Sequence, residues 1–283
     1  MDAQLVGVLL SPPVLALFGL CIGSFLNVVI HRLPMMLERG WKLDSADMLG
    51  VKIDEPVAVT LSKPRSRCPS CGHQIAWFEN IPVVSYVGLR GRCSACKTAI
   101  SARYPLIEVA TGALFAVIGW HFGATPVTLL WCGFAAVLVA LAGIDWDTTL
   151  LPDNLTLPLL WAGLVASALG WTLPLSDSLW GAVAGYVSLW SVYWLFKLTT
   201  GKEGMGFGDF KLLAALGAWL GLKMVLPVVL IASILGAVVG IGMKLASTLR
   251  EGRYVPFGPF LAGAGLAVLL AGQPRVLGWL GWA

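Results

Sequence analysis

Two aspartates beside long apolar runs are the residues of this chain best suited to chemistry. Asp145 directly follows an apolar run that ends at Ile144, and Asp209 begins the apolar run that continues to Leu222. A carboxylate at a membrane edge is costly to desolvate, and two carboxylates around one water share a proton, one acting as base and the other as acid. Such a pair can hydrolyse a peptide bond without metal or nucleophile. Buried acids also carry ions in transporters, and spacing alone does not separate the two chemistries.

The sequence around Asp209 is rich in glycine. Residues 204–211 read Gly-Met-Gly-Phe-Gly-Asp-Phe-Lys, and glycines let backbone, substrate or a second helix approach closely. Taken alone, the stretch could be a flexible connector with Asp209 as a helix N-cap. The presence of a second acid in the chain favours a functional role instead.

Two more acids lie near Asp145. Asp147 points to a different face if the helix continues through it, because residues two apart lie on different sides of a helix. Asp153 follows Pro152 and is expected to be the N-cap of the next helix.

Four of the six cysteines form two C-x-x-C pairs, and paired knuckles at this spacing are typical of a tetrahedral Cys₄ zinc site. The predicted ligands are Cys68, Cys71, Cys93 and Cys96. Gly72 suits the tight turn of the first knuckle, and His73 is expected to be a neighbour and not a ligand. Disulfides or free thiols are the alternative. Cys21 and Cys132 lie inside apolar runs and are expected to be core residues.

The composition predicts that most of the chain lies in lipid. It has 283 residues, of which 58% are hydrophobic and 12% are charged, whereas soluble domains carry roughly 25% charged residues. We expect an all-α polytopic membrane protein with about eight transmembrane helices. Their predicted ranges are 5–30, 105–122, 126–144, 154–171, 178–198, 209–222, 225–245 and 257–272. The chain then divides into a first helix (1–30), a cytoplasmic zinc-binding insertion (31–103) and a seven-helix membrane domain (104–283).

Lysine and arginine placement predicts the orientation, because basic loops stay in the cytoplasm. The insertion holds eleven of the nineteen basic residues, and with eight spans six others lie on its side, leaving Lys223 and Arg275 opposite. Both loops that carry Asp145 and Asp209 are then cytoplasmic. The first apolar run lacks a basic region before it and is expected to stay as an anchor.

These motifs together resemble the type IV prepilin peptidases, which are GxGD-type membrane aspartic proteases. The resemblance rests on Asp145 with residues 151–153 (Leu-Pro-Asp) and on residues 206–211 (Gly-Phe-Gly-Asp-Phe-Lys). The amino-terminal part resembles the bifunctional members, which couple leader cleavage to N-methylation of the new terminus. The stretches that carry this second resemblance are 23–34, the two C-x-x-C pairs, 80–82 and 101–108.

The resemblance implies that Asp145 and Asp209 are the catalytic pair of a prepilin peptidase and N-methyltransferase. It implies cleavage after a glycine that ends a short basic leader, methylation of the new first residue (usually Phe), and S-adenosylmethionine as methyl donor. Gly91 with Arg90 and Arg92 are the first candidates for the donor site; a turn with solvated arginines is the alternative. Asn27 and Glu108, inside the first two spans, should face protein, where they bond each other, shape the donor pocket or serve structure alone.

The implied location is the bacterial inner membrane, with lipid and prepilin or pseudopilin precursors as partners. No nucleic-acid partner is expected. The sequence leaves open whether the substrates belong to type IV pili or type II secretion. Two competing classes remain: a transporter that uses the same acids, and a thiol oxidoreductase built on the C-x-x-C pairs, which the cytoplasmic location disfavours.

Overall fold

The computed structural model describes residues 3–52, 58–246 and 255–282, and most of these residues are helical. Its eleven α-helices have the following bounds: α1 Ala3–Leu9, α2 Pro12–Met48, α3 Val84–Gly88, α4 Arg103–Phe122, α5 Pro126–Thr148, α6 Asp153–Ala168, α7 Leu175–Thr200, α8 Phe207–Leu220, α9 Leu222–Leu245, α10 Gly258–Ala271 and α11 Gln273–Trp279. A short 3-10 helix covers Trp77–Asn80. Within the described ranges, strand pairing is limited to two isolated bridges. The prediction of an all-α fold is confirmed.

Five helices of the described chain are long and apolar enough to cross a membrane by themselves, namely α2, α4, α5, α7 and α9. The bent pair α10 and α11, with an angle of 105°, raises the number to six if it counts as one span. The protein is therefore a multi-pass membrane protein. Each of the eight predicted spans overlaps a helix, but α6, α8 and α10 are shorter than a full membrane crossing. Eight spans, and the orientation that depends on them, stay predictions.

The first predicted span has different bounds in the structure. A separate helix, α1, precedes it, and α2 runs from Pro12 past Ile30 and through Pro34 as far as Met48. Charged residues after Ile30 suggested an end to the apolar run, yet a helix that leaves the membrane can continue with one face in water. Arg250 and Arg253, two of the basic residues used for the orientation, lie outside the described residues.

The chain forms two compact units, residues 1–140 and 141–283. In the first unit α2 packs along α4. A Cβ on Gly19 would lie 2.8 Å from the Cα of Gly112, and one on Gly23 would lie 2.7 Å from the Cα of Glu108. Small residues four apart allow such close approach between membrane helices. This contact fixes the two helices that flank the inserted segment.

The second unit is built around α8, which packs against α6, α7, α9 and α10. Nearly all of its residues from Asp209 onward are buried, including Phe210, Leu213 and Leu216. Gly217 of α8 and Gly181 of α7 touch backbone to backbone, so that neither has room for a side chain. A helix that is apolar on all sides belongs at the centre of a bundle. The fold therefore places the start of α8, with Asp209, inside protein.

Candidate active site and metal centre

Asp145 lies three residues before the end of α5 and is only 5% exposed. Its Oδ2 accepts a 2.9 Å hydrogen bond from the backbone N–H of Gly258, the first residue of α10. The N-terminus of a helix has unpaired N–H groups and a partial positive charge, and both favour a carboxylate. Asp145 is the most deeply buried of the three acids at 145, 147 and 153.

Asp209 lies in the first turn of α8 and is 7% exposed. The N-cap of α8 is Gly206, whose carbonyl accepts a 3.2 Å hydrogen bond from the backbone N–H of Asp209. Asp209 is therefore not an N-cap, and the connector interpretation of residues 204–211 loses its main support.

Leu151 connects the surroundings of the two acids. A Cβ on Gly208 would lie 2.7 Å from the Cβ of Leu151, and a Cβ on Gly258 would lie 3.1 Å from its Cδ2. The carboxyl groups of Asp145 and Asp209 are close enough for their charges to repel each other. The fold thus brings the two predicted residues to one buried place, where two carboxyls cannot both ionise easily.

The four predicted cysteines also come together. Their sulfur atoms all lie within 4.8 Å of one another, with 3.8 Å between Cys68 and Cys96 and 4.0 Å between Cys71 and Cys93. Each pair sits in a tight turn: the N–H of Gly72 donates to the carbonyl of Cys68 at 2.9 Å, and the N–H of Lys97 donates to that of Cys93 at 3.1 Å. Four converging thiols are a donor set that can hold a metal ion.

Hydrogen bonds favour the thiolate form at two of these four sulfurs, whereas at Cys71 a hydrogen bond from the backbone of His73 is outweighed by burial and the neighbouring thiols, which raise the pKa to about 11. Hydrogen bonds from the backbone of Cys71 and Ser70 lower the pKa of Cys68, and hydrogen bonds with Thr98 lower the pKa of Cys96 to about 6. Thiolates, and not thiols, bind metals. In the turns, Gly72 has φ +71° and Lys97, at the equivalent place, has φ +60°. The glycine predicted for the first turn is thus matched by a strained lysine in the second.

Two family models match the chain. The bacterial peptidase A24 N-terminal domain matches residues 17–122, and the type IV leader peptidase family matches residues 132–241. A prepilin leader peptidase/N-methyltransferase of Stutzerimonas stutzeri is 51% identical over 94% of this chain and 92% of its own length. The chain belongs to the type IV leader peptidase family.

Two further members of the family are similarly close. Proteins of the same name from Pseudomonas aeruginosa and Aeromonas salmonicida are each 52% identical, over 91% of this chain and 89% of their own lengths. No solved structure matches the chain. Membership of this family supports the peptidase over the transporter and the thiol oxidoreductase.

The two acids near Asp145, namely Asp147 and Asp153, differ in their burial and in the helix that carries them. Asp147 is half-buried near the end of α5. Asp153 is exposed. It is the first residue of α6, and the N-cap of this helix is Pro152. The expectation that Asp153 caps this helix is wrong, since its carboxylate instead binds Lys211.

The segment predicted for the methyl donor lies beside the second knuckle. Gly91 has φ +65°, and a Cβ there would lie 2.9 Å from the hydroxyl oxygen of Tyr86. Arg90 and Arg92 are exposed. A structural reason therefore exists for the glycine, and a donor site at these three residues stays a prediction.

Glu108 of α4 is 8% exposed, and its Oε2 accepts a 2.8 Å hydrogen bond from the backbone N–H of Val83. Asn27 instead donates from Nδ2 to the carbonyl of Tyr104 at 3.1 Å. The expectation that Glu108 faces protein is confirmed, while a bond between Glu108 and Asn27 is not formed. Glu108 thus ties the inserted segment to a membrane helix.

Other neighbours complete the metal region. His73 contacts Glu79 at 3.2 Å, and hydrogen bonds from Ser94, the backbone of Ala76 and His73 lower the pKa of Glu79 to about 2. His73 is a neighbour of the cysteines, as expected.

The two cysteines inside apolar runs differ in exposure. Cys132 is buried, but Cys21 is exposed on α2. The prediction of a core position is therefore wrong for Cys21, because its side of the helix faces away from the protein.

Sequence reasoning missed three contributors: Gly258, Lys211 in its pairing with Asp153, and Val83. Gly258 stands between Phe257 and Pro259 at the start of an apolar run. A glycine there is a signal of close approach to a helix N-terminus. The sequence gives no sign of its partner, which lies 113 residues earlier.

Proposed function

We propose that this protein is an intramembrane aspartic endopeptidase that removes the short basic leader of type IV prepilins or pseudopilins and then N-methylates the new terminus. The observation that carries the proposal is the convergence of two buried carboxyls, Asp145 and Asp209, in a chain of the type IV leader peptidase family. The names of the two relatives that are 51% and 52% identical to this chain support both activities.

The surroundings of the pair favour different roles for the two acids. The N–H of Gly258 and the helix terminus behind it stabilise negative charge on Asp145. Asp145 then takes a proton from the attacking water, while Asp209 gives the shared proton to the scissile peptide group. The water oxygen bonds to the carbonyl carbon, the C–N bond breaks, and the amine leaves protonated.

The metal of the cysteine cluster is proposed to be a structural zinc ion. Zn–S bonds of about 2.3 Å separate tetrahedral ligand sulfurs by about 3.8 Å, close to the separations of 3.8 and 4.0 Å found here. Four thiolates leave no open position for a substrate. The ion would hold together a segment with little core of its own.

Methylation requires a donor, proposed to be S-adenosylmethionine, which supplies a methyl group on a positively charged sulfur. The new amino terminus must be neutral to form the N–C bond, and it loses a proton as the S–C bond breaks. Arg90, Gly91 and Arg92 are the proposed donor region. The proposed location is the bacterial inner membrane, with the insertion and both aspartates facing the cytoplasm.

The test uses the full-length protein in detergent or nanodiscs. It is mixed with labelled S-adenosylmethionine and a synthetic precursor with a basic leader, a glycine, then Phe and an apolar helix. Mass spectrometry of the new terminus reports cleavage and methylation together. We expect Asp145→Asn and Asp209→Asn each to abolish cleavage, while Asp177→Asn, an exposed aspartate in the first turn of α7, leaves it unchanged. Full cleavage by either variant of this pair, which we call the dyad, would contradict the proposal.

A further inference from the structure

An ion pair joins the first residue of α6 to the second turn of α8. The Nζ of Lys211 lies 2.6 Å from Oδ1 and 2.7 Å from Oδ2 of Asp153, which is 58 residues away in the sequence. Lys211 follows Asp209 by two residues, which turns it by about 200° around the helix. Its ammonium group is therefore directed to Asp153 and away from the buried side of α8.

Both partners of this pair lie next to the segments that carry the dyad. Residues 149–152 form the linker between α5 and α6, which starts four residues after Asp145 and ends just before Asp153. Midway along this linker, Leu151 contacts Gly208, the residue before Asp209. The linker and the start of α8 therefore run side by side, with one contact at Leu151 and a second at the ion pair.

The linker also holds a strained residue. Thr149 has φ +54°, which is uncommon and costly for a β-branched side chain, and its N–H donates a 2.8 Å hydrogen bond to the carbonyl of Asp145. A backbone of this kind persists only where its surroundings hold it. A shift of the linker would act directly on the last turn of α5, where Asp145 lies.

We infer that the Asp153–Lys211 ion pair positions the dyad, by holding linker 149–152 against α8 so that Asp145 stays in register with Asp209. The inference rests on the proposed peptidase function. Neither partner is a catalytic residue, since each acts through the linker.

The exposure of the two side chains distinguishes a positioning role of the ion pair from a role in stabilising the fold. The side chains of Lys211 and Asp153 are 29% and 51% exposed, and partly exposed ion pairs contribute little to stability. A small displacement of reacting groups, by contrast, can slow a reaction on the order of 100-fold. Loss of the pair should therefore lower turnover without a matching loss of folding.

The experiment compares five variants in the cleavage assay described above: Asp153→Asn, Lys211→Gln, Lys211→Arg, the swap Asp153→Lys with Lys211→Asp, and the control Asp177→Asn. The control removes an exposed aspartate from the first turn of another helix. For each variant, kcat, KM and the melting temperature are measured. We expect kcat to fall roughly 10- to 100-fold in Asp153→Asn and Lys211→Gln, with KM and melting temperature close to the control. Lys211→Arg and the swap should recover part of the lost kcat.

Other outcomes overturn the inference. Single variants with the kcat of Asp177→Asn would show that the pair does not position the dyad. A change in KM with no change in kcat would show the same. If the single variants do not fold, the swap decides: cleavage by the swap supports the inference, and an inactive or unfolded swap contradicts it. A wild-type protein that does not cleave the precursor would instead refute the proposed function.

Discussion

The backbone N–H of Gly258 donates a 2.9 Å hydrogen bond to Oδ2 of Asp145, in the buried interior of the second unit. A Cβ at position 258 would lie 2.6 Å from that oxygen, a separation that real structures do not tolerate. The absence of a side chain at Gly258 is therefore a condition for the position of the Asp145 carboxyl.

Gly258→Ala is expected to displace the carboxyl of Asp145 and to lower kcat for cleavage roughly 10- to 100-fold. The matched control is Gly263→Ala in the same helix, where an added Cβ meets nothing within 4 Å. The control should keep full activity, since alanine favours a helix over glycine. Equal activity of the two variants would show that Asp145 does not depend on this contact.

Cys68→Ser is expected to lose the bound metal, because a tetrahedral thiolate site loses most of its metal affinity when one of its four ligands is removed. Metal analysis of the purified protein should give one zinc ion per chain for wild type and much less for the variant. Cys21→Ser, which changes an exposed cysteine of α2, is the control and should keep the ion. Full zinc content in Cys68→Ser would contradict the Cys₄ site. We also expect methylation to fall at least as much as cleavage.

Glu108→Leu is expected to free the N–H of Val83, whose φ of +61° is unusual for a valine. A fully buried donor without a partner costs about 1–3 kcal/mol. The N–H of Val83 is part-buried, so we expect a cost at or below the lower end of this range and faster amide hydrogen exchange in the segment around Val83. Glu108→Gln keeps an acceptor oxygen at the same place and serves as the matched control. If both variants exchange like wild type, the hydrogen bond does not hold the inserted segment to α4.

Gly181→Ala is expected to disrupt the second unit, because the new Cβ would overlap the backbone of Gly217 in α8. Overpacking against backbone costs typically 1–3 kcal/mol and here also displaces the helix that carries Asp209. Thermal unfolding in detergent would measure the loss, with Gly242→Ala as control, since nothing lies within 4 Å of a Cβ there. An unchanged melting temperature for Gly181→Ala would mean that α7 and α8 can separate without cost.

The sequence by itself determined the local features of this protein. Membrane-length apolar runs gave the helices, because a buried backbone must satisfy its hydrogen bonds within each segment. The spacing of the C-x-x-C pairs predicted the cysteine cluster, since each knuckle is a short local turn. Asp145 and Asp209 stood out because a carboxylate beside an apolar run is costly, and no distant information was needed to select them.

Only the tertiary structure decided which groups meet these residues. The partner of Asp145 is a backbone N–H 113 residues later, and Asp153, expected to cap its own helix, pairs with a lysine 58 residues away. The extension of α2 to Met48 likewise went beyond the apolar run. Periodicity encodes which residues lie on one helix, but the relative placement of helices follows from how side chains and glycines fit across them. For that reason the two acids were predictable from the sequence, and the contacts that position them were not.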